Sequence, residues 1–224
     1  MALVYSYSNL SDYENCPKKF NHKHIAKDCT EIKSFQQTSG ISVHDAIRKR
    51  VKLHEPLPEN FAGHEPVCAT IDAHPSIKHC ELSLGMTYAG APCGFFADNV
   101  WFRGKLDLAM VQMMNGKPAA VLVDWKNGKP WEDVTELRYQ ALLLRVAMPE
   151  LQQITGFYYW LRTGAIGQLH NVGDTVMTWN KLHQTVDSVE RRMNSGDWPA
   201  DDNPLCRYCP VTKAQCQYKR DPPA

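Results

Sequence analysis

The stretch Val121-Leu122-Val123-Asp124-Trp125-Lys126 is an apolar run that ends in two charged residues. Such a run predicts a β-strand, and strand side chains alternate between faces, so Asp124 and Lys126 point to the same side. A carboxylate and an ammonium are costly to bury at the end of an apolar strand unless they act together or bind something. This strand end is therefore the first candidate for a functional site.

A second strand precedes it and carries another carboxylate. Gly104-Lys105-Leu106-Asp107-Leu108 lies in a β-type run, and Asn115-Gly116 in the connection is typical of a hairpin turn. The hairpin can place Asp107 beside Asp124, where a hard cation such as Mg²⁺ or Mn²⁺ would relieve their repulsion. Lys126 could then orient or help deprotonate a water, or stabilise charge on a phosphate. An ordinary salt bridge at a strand end is the alternative.

Around this hairpin the sequence predicts helices, then a sheet with an intervening helix. Ser8 can cap a first helix that Pro17 interrupts, and a second helix follows Gly40. The other predicted elements are a loop at 54–66, strands at 81–88, 100–111, 119–126, 154–162 and 174–179, a helix at 132–147, and a last helix that Asn180 caps and Gly196 ends.

This pattern predicts the α/β class, with a mixed central β-sheet flanked by helices. We expect one domain over 1–224, with a mainly helical N-terminal region at 1–66 and the core at 78–196. The cysteine-rich tail at 197–224 has too little apolar surface to hold a fold alone. We expect it to be stapled by a metal and to pack back on the helix that contains Cys16.

Composition limits the classes of function. The chain has 224 residues, and its formal charge is 25 − 24 = +1, which excludes a strongly basic nucleic-acid coat protein. No apolar run approaches the roughly 18–20 residues of a membrane span, and the N-terminus lacks the features of a signal peptide. We therefore predict no membrane partner. Eight cysteines could mean a secreted disulfide scaffold, but that class is small, so we predict a reducing compartment, the cytoplasm of a bacterium, an archaeon or a phage-infected host.

Eight cysteines are the unusual count in this composition. Cys206-x2-Cys209-x6-Cys216 supplies three closely spaced thiolates, and a fourth ligand must come from elsewhere in the chain. Four thiolates suit either a tetrahedral Zn²⁺ ion or a [4Fe–4S] cluster, and spacing alone does not separate them.

Several motifs together resemble one known family. Asp107 followed by Asp124-Trp125-Lys126 resembles the core of the PD-(D/E)xK nuclease superfamily, in its RecB-like exonuclease branch. The segments 8–20, 40–44 and Tyr139-Gln140 resemble that branch's opening helix, histidine motif and glutamine motif, in the right order from about residue 6 to 218. The family's tyrosine four residues after the glutamine is replaced by Leu144, which bears on polarity and substrate preference more than on cleavage.

The resemblance implies a restriction-endonuclease-like core and specific roles at the strand ends. Asp107 would bridge metal ions, with Asp124, His44 and the Trp125 main-chain carbonyl as further ligands of Mg²⁺ or Mn²⁺. Lys126 would position the attacking water, and the products would be a 5′-phosphate and a 3′-hydroxyl. Two residues remain open: Glu81 is a further ligand, a group that orients one, or a solvated carboxylate, and Gln140 contacts the phosphate or the lysine or lies on an exposed face.

The cysteines also enter the resemblance. Cys16 together with Cys206, Cys209 and Cys216 resembles the split iron–sulfur motif of CRISPR-associated and AddB-type nucleases. It favours a [4Fe–4S] cluster of structural role over the alternative, a structural Zn²⁺ ion.

Basic residues on the first two helices are candidates for DNA contact, although such clusters are often only solvated faces. The candidates are Lys18, Lys19, Lys23, Arg48 and Arg50, with Tyr139 beside Gln140.

Taken together, these features predict a divalent-metal-dependent DNA exonuclease that acts on single-stranded or end-bearing DNA. Recombination, repair, phage DNA processing and CRISPR adaptation are the settings considered, with a recombination, replication or CRISPR-adaptation protein as partner. An oligomer is compatible with the resemblance. The alternatives are a structure-specific endonuclease of the same fold and a non-catalytic DNA-end-binding or adaptor protein. No phosphate loop of the Gly-x4-Gly-Lys-Ser/Thr type is present, so the chain carries no helicase motor of that kind.

Overall fold

A computed structural model describes residues 3–29, 35–131 and 133–221, with the helical backbone alone for residues 35–42. The chain divides into two compact units. We call residues 1–4 and 34–178 the sheet unit, and residues 5–33 and 179–224 the terminal unit. None of the described helices is long and apolar enough to cross a membrane.

The sheet unit is built on one mixed β-sheet. Its strands are β1 (Ile77–Met86), β2 (Pro92–Cys93), β3 (Phe102–Met114), β4 (Lys117–Lys126), β5 (Gln153–Trp160), β6 (Ala165–Ile166) and β7 (His170–Asn171). The strand order is β2-β1-β3-β4-β5-β6, with β7 also paired to β5. Only β4 and β5 run parallel among the described pairs, and their crossover is the helix at Thr135–Ala147. The predicted α/β fold with a mixed sheet flanked by helices is confirmed.

The residues of β4 are apolar on both faces, which explains why helices cover both faces of this sheet. Leu122 lies in one buried cluster with Leu137 and Ala141 of the crossover helix. Val123 points the opposite way, into a second cluster with Ile47 and Cys68. The helices in the N-terminal half of the sheet unit are α3 (Phe35–Leu53) and α4 (Glu65–Ala73), and the crossover helix is α5 (Thr135–Ala147). A strand whose residues are buried on both sides is thereby fixed in register.

The terminal unit joins the two ends of the sequence. Its helices are α1 (Tyr7–Asn15), α2 (Pro17–Phe20), a π-helical turn at Asn21–Ala26, most of α6 (Thr175–Ser195) and a 3₁₀ helix at Pro204–Tyr208. Within this unit, Tyr13 bonds Ser188 through its hydroxyl at 2.7 Å. Phe20 stacks on Trp198 with ring centroids 5.9 Å apart. These contacts tie α1 and α2 to α6 and the tail.

Five element predictions were wrong in detail. Ser6, not Ser8, caps α1, and α3 begins before Gly40 because a long helix tolerates one interior glycine at a cost of about 1 kcal/mol. The predicted loop at 54–66 contains a 3₁₀ helix and the start of α4, whose Pro66 sits in the first turn, where proline is tolerated. The predicted strand at 174–179 is the start of α6, since Asp174 accepts the Met177 N–H at 3.2 Å and caps that end instead of Asn180.

Two turn predictions are confirmed. Gly196 has φ +70° directly after α6 and donates its N–H to the Arg192 carbonyl at 2.9 Å. Asn115 and Gly116 both have positive φ at the tip of the β3–β4 hairpin, as a two-residue turn of this kind requires. The hairpin register that follows runs from Met114↔Lys117 to Leu108↔Val123. That register brings Asp107 and Asp124 to the same end of the two strands.

Candidate active site

The two strand-end aspartates sit where the β3–β4 ladder stops. Leu108↔Val123 is the last pair of that ladder, and beyond it the Asp107 carboxylate accepts the main-chain N–H of Trp125 at 2.8 Å. A side-chain oxygen thus satisfies a backbone donor that the neighbouring strand no longer reaches. This bond fixes the Asp107 carboxylate beyond the last ladder pair, in what we call the opening between the strands.

Three side chains converge at this opening. Among the described residues, one group of potential ligands converges closely: His44, Glu81 and Asp107, whose ligand atoms all lie within 4.8 Å of one another. His44 comes from α3, and its Nδ1 lies 3.6 Å from Asp107 Oδ2. An imidazole with two carboxylates is a donor set suited to Mg²⁺ or Mn²⁺.

Glu81 reaches this group through an unusual backbone conformation. Its φ is +54° in the middle of β1, a left-handed value that a glutamate rarely adopts. The flanking pairs Cys80↔Leu108 and Leu82↔Leu106 place Glu81 across from Asp107. Such strain persists only where the surrounding structure imposes it. The Glu81 carboxylate also pairs with Lys105 at 2.5 Å.

The pKa of His44 reflects the negative charge of the carboxylates around this opening. Burial alone would lower the pKa of His44, but the neighbouring carboxylate of Asp107 outweighs it, with smaller contributions from Asp124 and Glu81. The net effect raises the pKa of this imidazole. An excess of carboxylates that favours a protonated histidine also favours a bound cation.

Asp124 and Lys126 form the second half of the site. Asp124 is buried, and its Oδ1 accepts a hydrogen bond from Gln140 Nε2 at 2.7 Å. Lys126 Nζ lies 2.6 Å from Asp124 Oδ2 and 2.5 Å from Glu136 Oε2. Lys126 Nζ is therefore the cation that faces this buried carboxylate oxygen.

Burial raises the pKa of Asp124, and Lys126 only partly offsets it, since Glu136 and Asp107 add negative charge nearby. For Lys126, burial would lower the pKa, but Asp124 and Glu136 together raise it. The lysine is therefore an ammonium ion held between two carboxylates. Glu136 was not among the predicted site residues. Its spacing of four from Gln140 on α5 was the available signal.

The arrangement passes a chemical test for a divalent cation. His44, Glu81 and Asp107 offer converging nitrogen and oxygen donors, and Asp124 adds a buried carboxylate whose Oδ2 lies 2.6 Å from Lys126 Nζ. These are the residues that would hold the ion. The part assigned to the Trp125 carbonyl stays a prediction, and the Trp125 side chain packs in the core against Tyr159, with ring centroids 5.7 Å apart.

The cysteine site lies within the terminal unit. It comprises four predicted ligands, none of which forms a disulfide: Cys16, Cys206, Cys209 and Cys216. Two of the sulfurs accept main-chain N–H groups at 3.5 Å, Cys16 from Lys19 and Cys206 from Asn203. Burial raises the pKa of Cys209, and Cys16 lies near enough to add to that effect.

Four sulfur donors in one unit, two of them hydrogen-bonded to backbone, fit a soft metal or an iron–sulfur cluster. In the described part of the chain these sulfurs do not converge as tightly as His44, Glu81 and Asp107. The identity of the bound group therefore stays a prediction.

The candidate DNA contacts have local carboxylate partners. Lys19 and Lys23 lie 2.6 and 2.9 Å from Asp12, and Arg48 lies 2.5 Å from Asp45. Arg50 pairs with Glu65 and Asp72 at 2.6 and 2.5 Å. Much of the predicted basic surface is therefore neutralised locally. That Lys18 and the other basic residues contact DNA stays a prediction.

Tyr139 was predicted to contact DNA, and its burial argues against that role. Its side chain is 2% exposed and packs on Phe102 with ring centroids 5.4 Å apart. The aromatic ring belongs to the core because α5 turns that position toward the sheet.

Comparison with known proteins agrees with this geometry. The model of the PD-(D/E)XK nuclease superfamily matches residues 69–217, which include β1, β3, β4 and α5. The chain belongs to the PD-(D/E)XK nuclease superfamily. Membership implies a metal-dependent nuclease with DNA as its substrate.

Searches of solved structures and of proteins of curated function gave less specific results. The crystal structure of SSO0001 is similar with a TM-score of 0.47 and 13% identity, covering 98% of this chain and 88% of that one. No protein of curated function matches the sequence significantly.

Proposed function

We propose that the chain is a divalent-metal-dependent DNA exonuclease that acts on single-stranded or end-bearing DNA. The observation that carries the proposal is the convergence of His44, Glu81 and Asp107 beside the Lys126–Asp124 pair. A binding module would gain nothing from keeping a half-buried lysine between two carboxylates next to three converging ligands. Recombination, repair, phage DNA processing and CRISPR adaptation are settings that such an enzyme could serve, with a protein of one of those processes as partner.

The reaction would add the oxygen of a water to a phosphorus atom while the P–O3′ bond breaks. The 3′ oxygen takes a proton and becomes a hydroxyl, and the phosphate stays on the 5′ side. A bound Mg²⁺ or Mn²⁺ would polarise the phosphate oxygen and lower the pKa of a bound water. His44, Glu81 and Asp107 are the ligands proposed for it.

Lys126 has one donor left for the reaction. An ammonium has three N–H donors, and the carboxylates of Asp124 and Glu136 occupy two positions around Nζ. The third can orient the attacking water or stabilise charge that develops on the phosphate. Gln140 fixes the Asp124 carboxylate through its hydrogen bond at 2.7 Å, so we propose that it acts as a positioning residue.

Linear and circular single-stranded DNA test this function. Wild-type protein with Mn²⁺ should degrade linear DNA and leave circular DNA intact, and cutting of the circle would show an endonuclease instead. Asp107→Ala and Lys126→Ala should lose cleavage, while Lys117→Ala, an exposed lysine on the same strand, should retain it. Undiminished cleavage by both site variants, or DNA binding without cleavage in any divalent metal, would contradict the proposal.

We also propose that Cys16, Cys206, Cys209 and Cys216 hold a structural [4Fe–4S] cluster. The support is that all four lie in the terminal unit and that Cys16 and Cys206 accept backbone N–H groups. Protein purified without oxygen should be brown and absorb near ~400 nm, as expected of thiolate-ligated iron. The Cys206→Ser variant should lose that absorption, with Cys93→Ser as the control. Colourless protein with stoichiometric zinc would favour the alternative.

A further inference from the structure

An aromatic cavity lies next to the catalytic lysine. It has a volume of about 190 Å³, and its walls include Trp131, Tyr158 and Trp160. Tyr158 and Trp160 of β5 pair in parallel register with Asp124 and Lys126 of β4, so all four side chains share one face of the sheet. Lys126 Nζ lies 5.4 Å from the centroid of the Tyr158 ring. Tyr158 therefore contributes to the cavity wall and also lies beside the proposed catalytic lysine.

Its walls are held in place by a short network of contacts. The Tyr158 hydroxyl donates to the Asp133 carbonyl at 2.8 Å, and the Asp133 side chain accepts the Thr135 N–H at 2.8 Å at the start of α5. On the other side, the Gly167 N–H donates to the Tyr158 carbonyl at 2.7 Å. A Cβ at Gly167 would lie 3.0 Å from that carbonyl, so a larger residue would push this wall away.

The lining combines flat apolar surface with polar groups at the edge. Trp131 is 68% exposed, although an indole of this size would normally be buried. Gln168 and His170 lie in the same lining and offer hydrogen-bond donors and acceptors. A flat ring with polar edges matches such a lining better than an aliphatic chain or a free phosphate does.

We propose that this cavity receives one unpaired base of the substrate strand, next to the phosphate that is cleaved. This inference rests on the proposed nuclease function and names the feature that selects single-stranded DNA. A base inside a duplex is stacked and paired, so its faces are unavailable to Trp131, whereas an unpaired base can turn into the cavity. Trp131 would stack on the base, and Gln168 and His170 would contact its edge.

Fluorescence of 2-aminopurine measures the insertion without any cleavage. The analogue is placed at each terminal position of a single-stranded oligonucleotide in turn, and protein is added in EDTA. At one position, wild-type protein should change the fluorescence as the base stacks. Trp131→Ala should lose that change and weaken binding about tenfold, since stacking on one aromatic side chain contributes about that much. Trp131→Phe should recover most of both.

A matched control shows whether the effect needs an aromatic residue of the cavity or any exposed aromatic residue. Phe96 is also exposed, at 85%, and lies outside the cavity, so Phe96→Ala should behave as wild type. In Mn²⁺, an abasic site at the responding position should slow wild-type cleavage and abolish the difference between wild type and Trp131→Ala.

The two proposals fail in different ways. Equal fluorescence change and equal affinity in wild type and Trp131→Ala would overturn the base cavity, even if the enzyme cleaves DNA. A Trp131-dependent fluorescence change with no cleavage in any divalent metal would support the cavity and overturn the nuclease proposal. Equal cleavage of abasic and intact strands by wild-type protein would also overturn the cavity.

Discussion

Two buried aspartates in this chain have opposite electrostatic surroundings. Asp12, in the terminal unit, is held by Lys19, Lys23 and His24 at 2.6, 2.9 and 2.9 Å. Burial acts to raise the pKa of Asp12, but these three partners outweigh it and hold the pKa well below its usual range. Asp124, in the sheet unit, has its pKa raised by burial, and Lys126 only partly offsets this.

The difference lies in how many cations each carboxylate has. Around Asp12, basic groups outnumber acidic ones, so its negative charge is fully compensated by the protein. Around Asp124, the carboxylates of Glu136 and Asp107 outnumber the one lysine. A buried excess of negative charge is unfavourable unless a cation is supplied from solution. We therefore expect Asp12 to stabilise the fold, and we propose that Asp124 belongs to a site that binds a metal ion.

The largest expected effect comes from Asp124→Asn. Cleavage should fall by about 10²–10³-fold, because the variant disturbs both the carboxylate and the lysine that it holds. Stability should not fall, since the substitution removes a charge that burial disfavours. Steady-state cleavage of labelled single-stranded DNA and thermal unfolding measure the two effects. Asp98→Asn, an exposed control, should change neither, and cleavage within a fewfold of wild type in Asp124→Asn would contradict the assignment.

Asp12→Asn should lower the stability of the fold rather than the rate of cleavage. Loss of this carboxylate leaves Lys19, Lys23 and His24 close together without their partner, at an expected cost of about 3 kcal/mol in the free energy of unfolding. Chemical denaturation measures the loss, with Asp187→Asn, an exposed residue of α6, as the control. An unchanged unfolding midpoint in Asp12→Asn would show that the network does not stabilise the fold.

The same residue predicts a pH dependence. Because the pKa of Asp12 is lower in the folded chain than in the unfolded chain, its contribution is complete above the ordinary aspartate pKa of about 4. The contribution is lost as pH falls through the folded value. Unfolding measured between neutral pH and acid should therefore show a steeper fall in stability for wild type than for Asp12→Asn. Parallel curves would contradict this assignment.

Glu81 is held less firmly by cations than Asp12 is, because the lysine that pairs with it, Lys105, is 55% exposed. Glu81→Gln should raise the Mn²⁺ concentration needed for half-maximal cleavage about tenfold, in the range found for groups that support metal sites. Lys105→Ala serves as the control for loss of the ion pair and should shift this concentration much less. An unchanged metal requirement in Glu81→Gln would remove Glu81 from the ligand set.

Sequence reasoning reached the hairpin and its strand-end charges because their signals are local. Strand alternation put Asp124 and Lys126 on one side, and Asn115-Gly116 predicted the turn that sets the register. The resemblance supplied His44. The left-handed φ of Glu81 was out of reach, since it depends on how β1 packs against the hairpin. The spacing of Glu136 from Gln140 indicated only a shared helix face, because the contact of Glu136 with Lys126 depends on how α5 packs.

Misleading local signals explain the wrong elements. Thr175-Val176-Met177 is β-branched and apolar, which favours a strand, yet Asp174 caps a helix there. Pro66 suggested a loop although proline is common in a first helical turn. The Asp12 network joins residues of α1, α2 and the π-helical turn, and neither charge count nor periodicity shows that Lys19 and Lys23 would turn inward.

The smallest expected effect comes from removing one of the three basic partners of Asp12. It tests whether a carboxylate with several cations depends less on each one than Asp124 depends on Lys126. Lys23→Ala removes one of three partners of Asp12, so Lys19 and His24 remain, and stability should fall by about 1 kcal/mol or less. Combining Lys23→Ala with Lys19→Ala should cost more than the sum of the two single changes, since only His24 then remains near the buried carboxylate. Chemical denaturation of the two single variants and the double variant measures this coupling. Strict additivity would mean that each lysine acts alone, and the contrast with Lys126, the one ammonium beside Asp124 among the described residues, would then lose its physical basis.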